Sequence, residues 1–387
     1  MLSLPYSHKK EKIVAAADIG SGHAGCALIE IRRGEIPAIL ASARLALPFE
    51  ERTPEQTKSG VLSLLKDVCE KAAESHAEIS ARQKLPPISA SYAILQAPWS
   101  HSEIASAGSE SETNERIIGK MIEGLARQAL ETEDKLNHRN LFEAGLVRVD
   151  LNGYPTMKPV GKDAHTVSVS TLVSECEPET RAQITDTLQN AFPAAKPNLR
   201  SRARILSSAL REARPQSRDY VIIDMENDAT NCAVMRDGLA SEHILVPEGT
   251  RTILKRISTG MPEETLSLMR MISRGACNTP SCEKLNSSLA LAEPEIVRLF
   301  GDALGRIAGK LRLPNELLLI TEPELSEWLS ALFSRIDFSQ FTVTTKEFTP
   351  SVLASESLRD SVSGSSGAID SGLALAAIFV NAEEQST

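Results

Sequence analysis

The sequence predicts an α/β protein built from two similar halves, with a small α/β module inserted in the first. Two observations predict the duplication. "KIVAAADIGSGHAGCALIEI" near the start and "DYVIIDMENDATNCAVMRDGLASEHILVPEG" past the middle share one order: apolar run, Asp, polar turn, apolar run. Such nearly continuous apolar runs mark strands covered on both faces, and a repeated pattern points to a repeated fold unit. A third observation predicts the insertion: residues 89–195 carry their own strands and helices.

In chain order, Lys12 to Ile31 reads as two strands joined by a Gly-Ser-Gly turn, and Ile39 to Leu47 as a third strand. A helix follows over Gly60 to Ala77, where Val61, Leu64, Leu65, Val68, Cys69 and Ala72 recur at spacings of three and four. "KLPP" ends it, and Ser89 to Pro98 opens a new strand. "SEIASAGSESETNER", rich in Ser and Glu, reads as a loop. Ile117, Ile118, Met121, Ile122, Leu125 and Ala126 mark the next helix. "GLVRVDLNGY" and "HTVSVSTLVS" are strands joined by "PTMKPVGKDA". A helix starts at Pro178, where proline suits a first turn.

"PAAKPN" reads as a connection and Ala203 to Glu212 as a short helix. After the second strand–turn–strand unit, helices fill Thr250 to Leu311. "NELLLITEPELSEWLSALF" is then a buried strand, a turn and a helix. A Ser/Gly-rich loop, 355–367, precedes an apolar final helix, "AIDSGLALAAIFVNA". The expected organisation is residues 1–88 as the first half, 89–195 as the module and 196–220 as the return to the first half. Residues 221–387 form the second half, with a helical outer part at 250–312.

A length of 387 residues allows two or more units with separate cores. With 42% apolar and 24% charged residues the chain is an ordinary globular protein. Aromatics are only 4%, so Leu, Ile, Val and Ala must build the core. A net charge of −9 argues against non-specific nucleic-acid binding as the main task. Cys26, Cys69, Cys176, Cys232, Cys277 and Cys282 are scattered, mostly in apolar runs, and predict small buried hydrophobes in a reducing, cytoplasmic setting. Cys277 and Cys282 are close in sequence, but no neighbouring Cys or His completes a zinc set. No run reaches the ~18 apolar residues of a membrane span. "MLSLPYSHKKEK" is too short and broken to be a secretory signal.

Asp18, Gly20, Ser21 and Gly22 form the first turn. Glycine there lets a phosphate approach backbone N–H groups. Ser21 could donate to a phosphate oxygen, and Asp18 could hold Mg²⁺ through water. On its own the stretch is an ordinary hairpin turn; its counterpart at Asp224 and Thr230 gives it weight. His23 reads as a turn residue beside it, and no Ser-His-Asp or Cys-His set is visible.

The order of these parts resembles the actin-like ATPase superfamily (ribonuclease H-like domains), in which two α/β halves face each other across a nucleotide cleft. Asp18-Ile19-Gly20-Ser21 resembles its first phosphate motif, "IIDMENDATNCAV" stands where the second belongs, and "LLLITEPEL" where the adenosine strand belongs. "VRVDLNGYPTMKPVGKDAHTVSVSTLV" is similar to the module of the cell-division homologue FtsA; the pilus-assembly relative PilM has a related module.

The resemblance implies ATP with Mg²⁺, held by Asp18, Gly20, Ser21, Gly22, Asp224, Thr230, Gly249 and Glu264, with Asp18 and Asp224 as the metal acids. The chain departs from the pattern. Glu226 takes a glycine position, Asp228 adds a carboxylate, and Glu322-Pro323 replace the Gly-Gly turn. Two extra charges facing a polyphosphate cost about 4 kcal/mol per pair at 4 Å and an effective dielectric near 20. The expectation is an eroded site with weak or absent ATP turnover and no catalytic residue of its own.

An FtsA-like scaffold would bind the tail of the tubulin-like division protein and could self-associate into filaments. Met261, Leu266, Met269 and Met271 offer either apolar contact for that tail or ordinary core. A PilM-like adaptor would hold a peptide of a pilus inner-membrane partner. A small-molecule kinase ranks third, since it needs a base and an intact ATP site. The acidic "NAEEQST" ending does not suit a membrane anchor, and Leu2, Leu4 and Tyr6 with His8, Lys9, Lys10 and Lys12 are too few to make one. Membrane contact is expected only through partners.

Overall fold

A computed structural model describes residues 11–258, 261–309, 312–336, 341–343, 346–364 and 370–386. Leu2, Leu4, Tyr6, His8, Lys9 and Lys10, and part of the 355–367 loop, lie outside the described residues.

The chain runs β1 (Glu11–Ile19), β2 (His23–Arg32), β3 (Ala38–Ala46), α1 (Pro54–Gln83), β4 (Ile88–Leu95), β5 (His101–Arg116) and α2 (Gly119–Thr132). It continues through β6 (Leu141–Leu151), β7 (Tyr154–Pro155), β8 (Asp163–Glu175), α3 (Pro178–Ala191), β9 (Lys196–Ser201) and α4 (Arg202–Ala213). Then come β10 (Tyr220–Met225), β11 (Thr230–Arg236), β12 (Leu239–Val246), α5 (Thr250–Ile257), α6 (Pro262–Ser273) and α7 (Pro280–Ala308). The last elements are β13 (Glu316–Ile320), α8 (Pro323–Arg335), β14 (Thr349–Val352), β15 (Ser363–Gly364) and α9 (Ser371–Ser386).

The duplication is visible in the sheets. One has the order β15-β3-β2-β1-β4-β9 and another β12-β11-β10-β13-β14. Without the short β15, both are an antiparallel triplet followed by two parallel strands. Asp18 is the penultimate residue of β1 and Asp224 the penultimate residue of β10, so each acid stands at the same corner of its own sheet.

The chain divides into two compact units. The first comprises residues 1–96, 178–213 and 354–387. Its sheet carries α1, whose N-cap Thr53 accepts from Gln56 N at 3.2 Å while Gln56 Oε1 accepts from Thr53 N at 3.0 Å. That capping box starts α1 at Pro54, ahead of the apolar spacing that reveals it only from Gly60. Val61, Leu65, Val68, Cys69 and Ala72 bury its inner face. The core of α9 is buried from Gly372 to Val380. Its end is tied down by Tyr92 Oη donating to Glu384 at 2.8 Å and by the Arg200–Glu383 ion pair.

The second unit comprises residues 97–177 and 214–353. The inserted module is therefore shorter than residues 89–195. β4 pairs in parallel with β1, and β9 with β4, so both strands and α3 belong to the first unit. The module proper is the sheet β5-β8-β6-β7 with α2 on it, around Ile117, Ile122, Leu125, Val149, Val167 and Val169. It groups with the second half of the chain: His243 on β12 bonds Ser102 O at 2.9 Å, and Arg148 donates to Arg236 O at 3.2 Å.

The stretch expected as a Ser/Glu-rich loop is β5, which pairs antiparallel with β8. It is an edge strand whose second half is mostly exposed, and polar residues on an edge discourage stray pairing. The end of the expected connection "PAAKPN" is already strand: Lys196 to Asn198 open β9, which runs on to Ser201. Cys277 and Cys282 are joined in a disulfide, while Cys26, Cys69, Cys176 and Cys232 are buried free thiols as expected. Among the described residues no helix is long and apolar enough to cross a membrane.

Candidate functional site

At the first corner Asp18 is completely buried. Gln96 Nε2 donates to its Oδ1 at 2.7 Å, and Arg44 Nη2 to its Oδ2 at 2.7 Å. The same Arg44 nitrogen lies 2.7 Å from Asp370 Oδ1. The strand register explains the reach: Asp18 is opposite Gly25 on β2, and Gly25 is opposite Arg44 on β3. Arg44 Nε passes close over Gly25, at 3.4 Å from where a Cβ would stand, which is ordinary van der Waals contact; the reach across β2 comes from the length of the arginine itself. Strands lie about 4.8 Å apart, and only a long side chain spans two of them.

Asp370 also accepts from Leu373 N at 2.9 Å, which caps α9. The backbone of that helix is pressed onto the acid, since a Cβ on Gly372 would fall 2.6 Å from Asp18 Oδ2. Burial alone would raise the Asp18 carboxyl; Arg44, then Arg202 and His23, outweigh it and hold the group below the usual carboxylate range. His23 is pushed down to about 4 by burial, with Arg44 adding to the effect, and is neutral at pH 7.

Of the turn residues, Gly20 N donates to His23 O at 3.0 Å and Gly22 O accepts from Leu47 N at 2.8 Å. Ser21 Oγ, His23 Nε2 and Gln96 Oε1 are buried without a hydrogen-bond partner in the protein. The turn thus keeps polar capacity at Ser21, while the acid itself is committed. Magnesium demands near-ideal octahedral geometry and keeps several waters. A buried carboxylate with both oxygens engaged by Gln96 and Arg44, under the start of α9, does not fit that ion.

The second corner is built differently. Asp224 is buried and faces Asn231, whose Nδ2 donates to Oδ2 at 3.3 Å. The row that runs Asp–Gly–Arg in the first sheet runs Asp224–Asn231–Leu245 here. Thr230 Oγ1 donates to Glu248 O at 2.6 Å. Gly249 lies on the turn: a Cβ there would stand 2.4 Å from Glu226 O and 2.6 Å from Asn227 O. The first N–H groups of α5 are spent on that turn, Thr250 N on Glu226 O and Arg251 N on Asn227 O, both at 2.8 Å. Helix N-terminal N–H groups are the natural donors for a phosphate; these two hold protein carbonyls.

The extra acids also find places. Arg251 Nε donates to Asp228 at 2.6 Å, a local offset for that charge. Glu226 is partly buried, and Glu322 is an exposed N-cap of α8 with Pro323 in its first turn. Glu264 is exposed in the first turn of α6. Met269 is core, whereas Met261 and Met271 are exposed.

Thus Asp18, Gly20, Ser21 and Gly22 share one corner, and Asp224, Thr230 and Gly249 another. Arg44, Gln96 and Asp370 complete the first corner, and the turn sequence itself does not point to them. A lone Gly25 inside an apolar strand is the signal for a close crossing, and the Asp before "SGLALAAIF" is the signal for a cap.

No family model matches the sequence, and no curated protein matches it. Solved structures do. The chain is similar to a structure described as the PilM-PilN type IV pilus biogenesis complex, at 12% identity and TM-score 0.57, over 96% of this chain and 98% of that one. It is also similar to the ROK hexokinase of Thermus thermophilus, at 12% identity and TM-score 0.42, over 97% and 100% of the two chains. The ethanolamine utilization protein EutJ of Carboxydothermus hydrogenoformans follows at 12% identity and TM-score 0.34, over 98% and 91%. The duplicated sheets and the match along nearly its whole length give this chain the actin-like ATPase fold.

Proposed function

We propose that the chain is a PilM-like cytoplasmic adaptor of type IV pilus or secretion machinery, a fold kept for its surfaces more than for ATP turnover. The observation that carries the reading is the end-to-end likeness to the PilM-PilN structure. The spent donors at α5 and the committed Asp18 agree with a protein whose work is to hold a partner. That partner is a short cytoplasmic peptide of an inner-membrane pilus component. The FtsA-like division scaffold gains nothing from the comparisons and rests on the module's Asn152-Gly153-Tyr154 stretch.

Titration calorimetry of the purified chain against two peptides tests the reading. One is the cytoplasmic segment of a PilN-type protein, the other the tail of the tubulin-like division protein. Saturable binding of the first alone is expected. Binding of the tail alone, or of neither, overturns the proposal. A thermal-shift titration with ATP and Mg²⁺ reports separately on the nucleotide, since a ligand that prefers the folded state raises the melting temperature.

A further inference from the structure

The strongest unexplained feature is the charge arrangement at the first corner. Arg44 Nη2 stands 2.7 Å from a carboxylate oxygen of Asp18 and 2.7 Å from one of Asp370. Two carboxylates that approach one point need a cation between them or must give up a charge. In this fold's first turn the acid is the expected holder of a metal; here the cation is covalently part of the chain. We propose that Arg44 is a resident cation that replaces a divalent metal at Asp18 and fastens the start of α9 to the first corner.

Three independent features support this. The Asp18–Gly25–Arg44 row puts the acid and the arginine in line across β2 and has no equivalent in the second sheet, where Asn231 and Leu245 stand in the same row. Asp370 serves two ends at once, receiving Arg44 and the Leu373 N–H. Gly372 lies so close that even a methyl group would meet Asp18 and Arg44, at 2.6 and 2.9 Å, so while Arg44 occupies the gap no place is left for the waters that magnesium carries. Arginine suits the task because it keeps its charge at every accessible pH and offers several donors from one plane. The inference goes beyond the adaptor reading and does not depend on it, because its test reads a metal and not a peptide.

The full chain is titrated with Mn²⁺ while amide NMR signals of Gly20 and Gly22 are followed. Millimolar Mn²⁺ is expected to leave both signals sharp; selective broadening there overturns the proposal, and this arm needs no variant. In the second arm Arg44→Gln leaves two carboxylates facing one gap. It is expected to melt below the wild type and to regain about 2–4 °C at a Mn²⁺ concentration about five times its Kd. Adding Asp370→Asn abolishes that gain. Arg44→Lys, which retains a cation, is expected to stay indifferent to Mn²⁺. An Arg44→Gln chain as stable as the wild type and equally indifferent to Mn²⁺ also overturns the proposal. Should Arg44→Gln fail to fold, Arg44→Lys carries the arm: a Mn²⁺-dependent rise in its melting temperature counts against a resident cation, and its absence supports one.

Discussion

Arg44 and Asp18 sit 26 residues apart on strands that do not touch, yet their side chains form a 2.7 Å ion pair across a glycine. Because the same guanidinium reaches Asp370, the far end of the sequence is fastened to its first hairpin. Asp370→Ala removes a helix cap and one partner of a partly exposed ion pair. The expected loss is about 1–2 kcal/mol of stability, measured by urea unfolding. An unchanged midpoint would show that α9 needs neither.

Glycines at two places should respond in opposite directions. Gly249→Ala drives a methyl group onto backbone atoms of the 226–229 turn and is expected to cost about 1–3 kcal/mol. Gly124→Ala, inside α2 with open space around it, is expected to stabilise by about 0.5–1 kcal/mol. Paired thermal melts compare the two.

His243 makes the second unit acid-sensitive. Burial lowers its pKa, although the Ser102 carbonyl and the charges of Glu103 and Asp224 pull the other way, and His101 adds to the lowering. The unfolded histidine takes up a proton near pH 6.5 and the folded one only at lower pH. Unfolding therefore binds a proton below 6.5, and stability present above that pH is lost as pH falls. His243→Asn keeps a donor for Ser102 O without titrating. Its unfolding midpoint should fall less steeply than the wild type's between pH 6.5 and 5.

The cysteines divide four to two. In denaturant without reductant, a thiol-specific reagent should count four thiols, those of Cys26, Cys69, Cys176 and Cys232; reduction should raise the count to six. Closing so short a loop contributes about 2 kcal/mol in a chain-entropy treatment, so reduction should lower the melting temperature by a few degrees. Six thiols without reductant would show the pair open in solution.

Much of this fold can be read from the residues because its buried strands are almost uninterrupted apolar runs. Val14 to Ala17 and Val221 to Ile223 announce themselves, and the acid that follows each marks the corner. Edge elements are less visible. β5 hides behind Ser and Glu because one of its edges is solvated, and β9 and β14 each contain a proline that reads as a break. The limits of the module are hard to read for a different reason: the pattern of β4 is the same whichever sheet receives it. At the candidate site the turn residues are local and legible. Their partners are not, since Arg44, Gln96 and Asp370 come from three other segments.

The segmental make-up of the first unit bears on how the protein is made. Its sheet is complete once β9 has been synthesised, apart from the two-residue β15, but α9, whose apolar face runs from Leu373 to Val380, arrives only after every residue of the second unit. A nascent chain stopped at residue 353 would carry an entire second unit beside a first one with an uncovered greasy face. Translation order alone thus makes the amino-terminal unit the last to mature, and the more dependent on chaperones while the ribosome is at work.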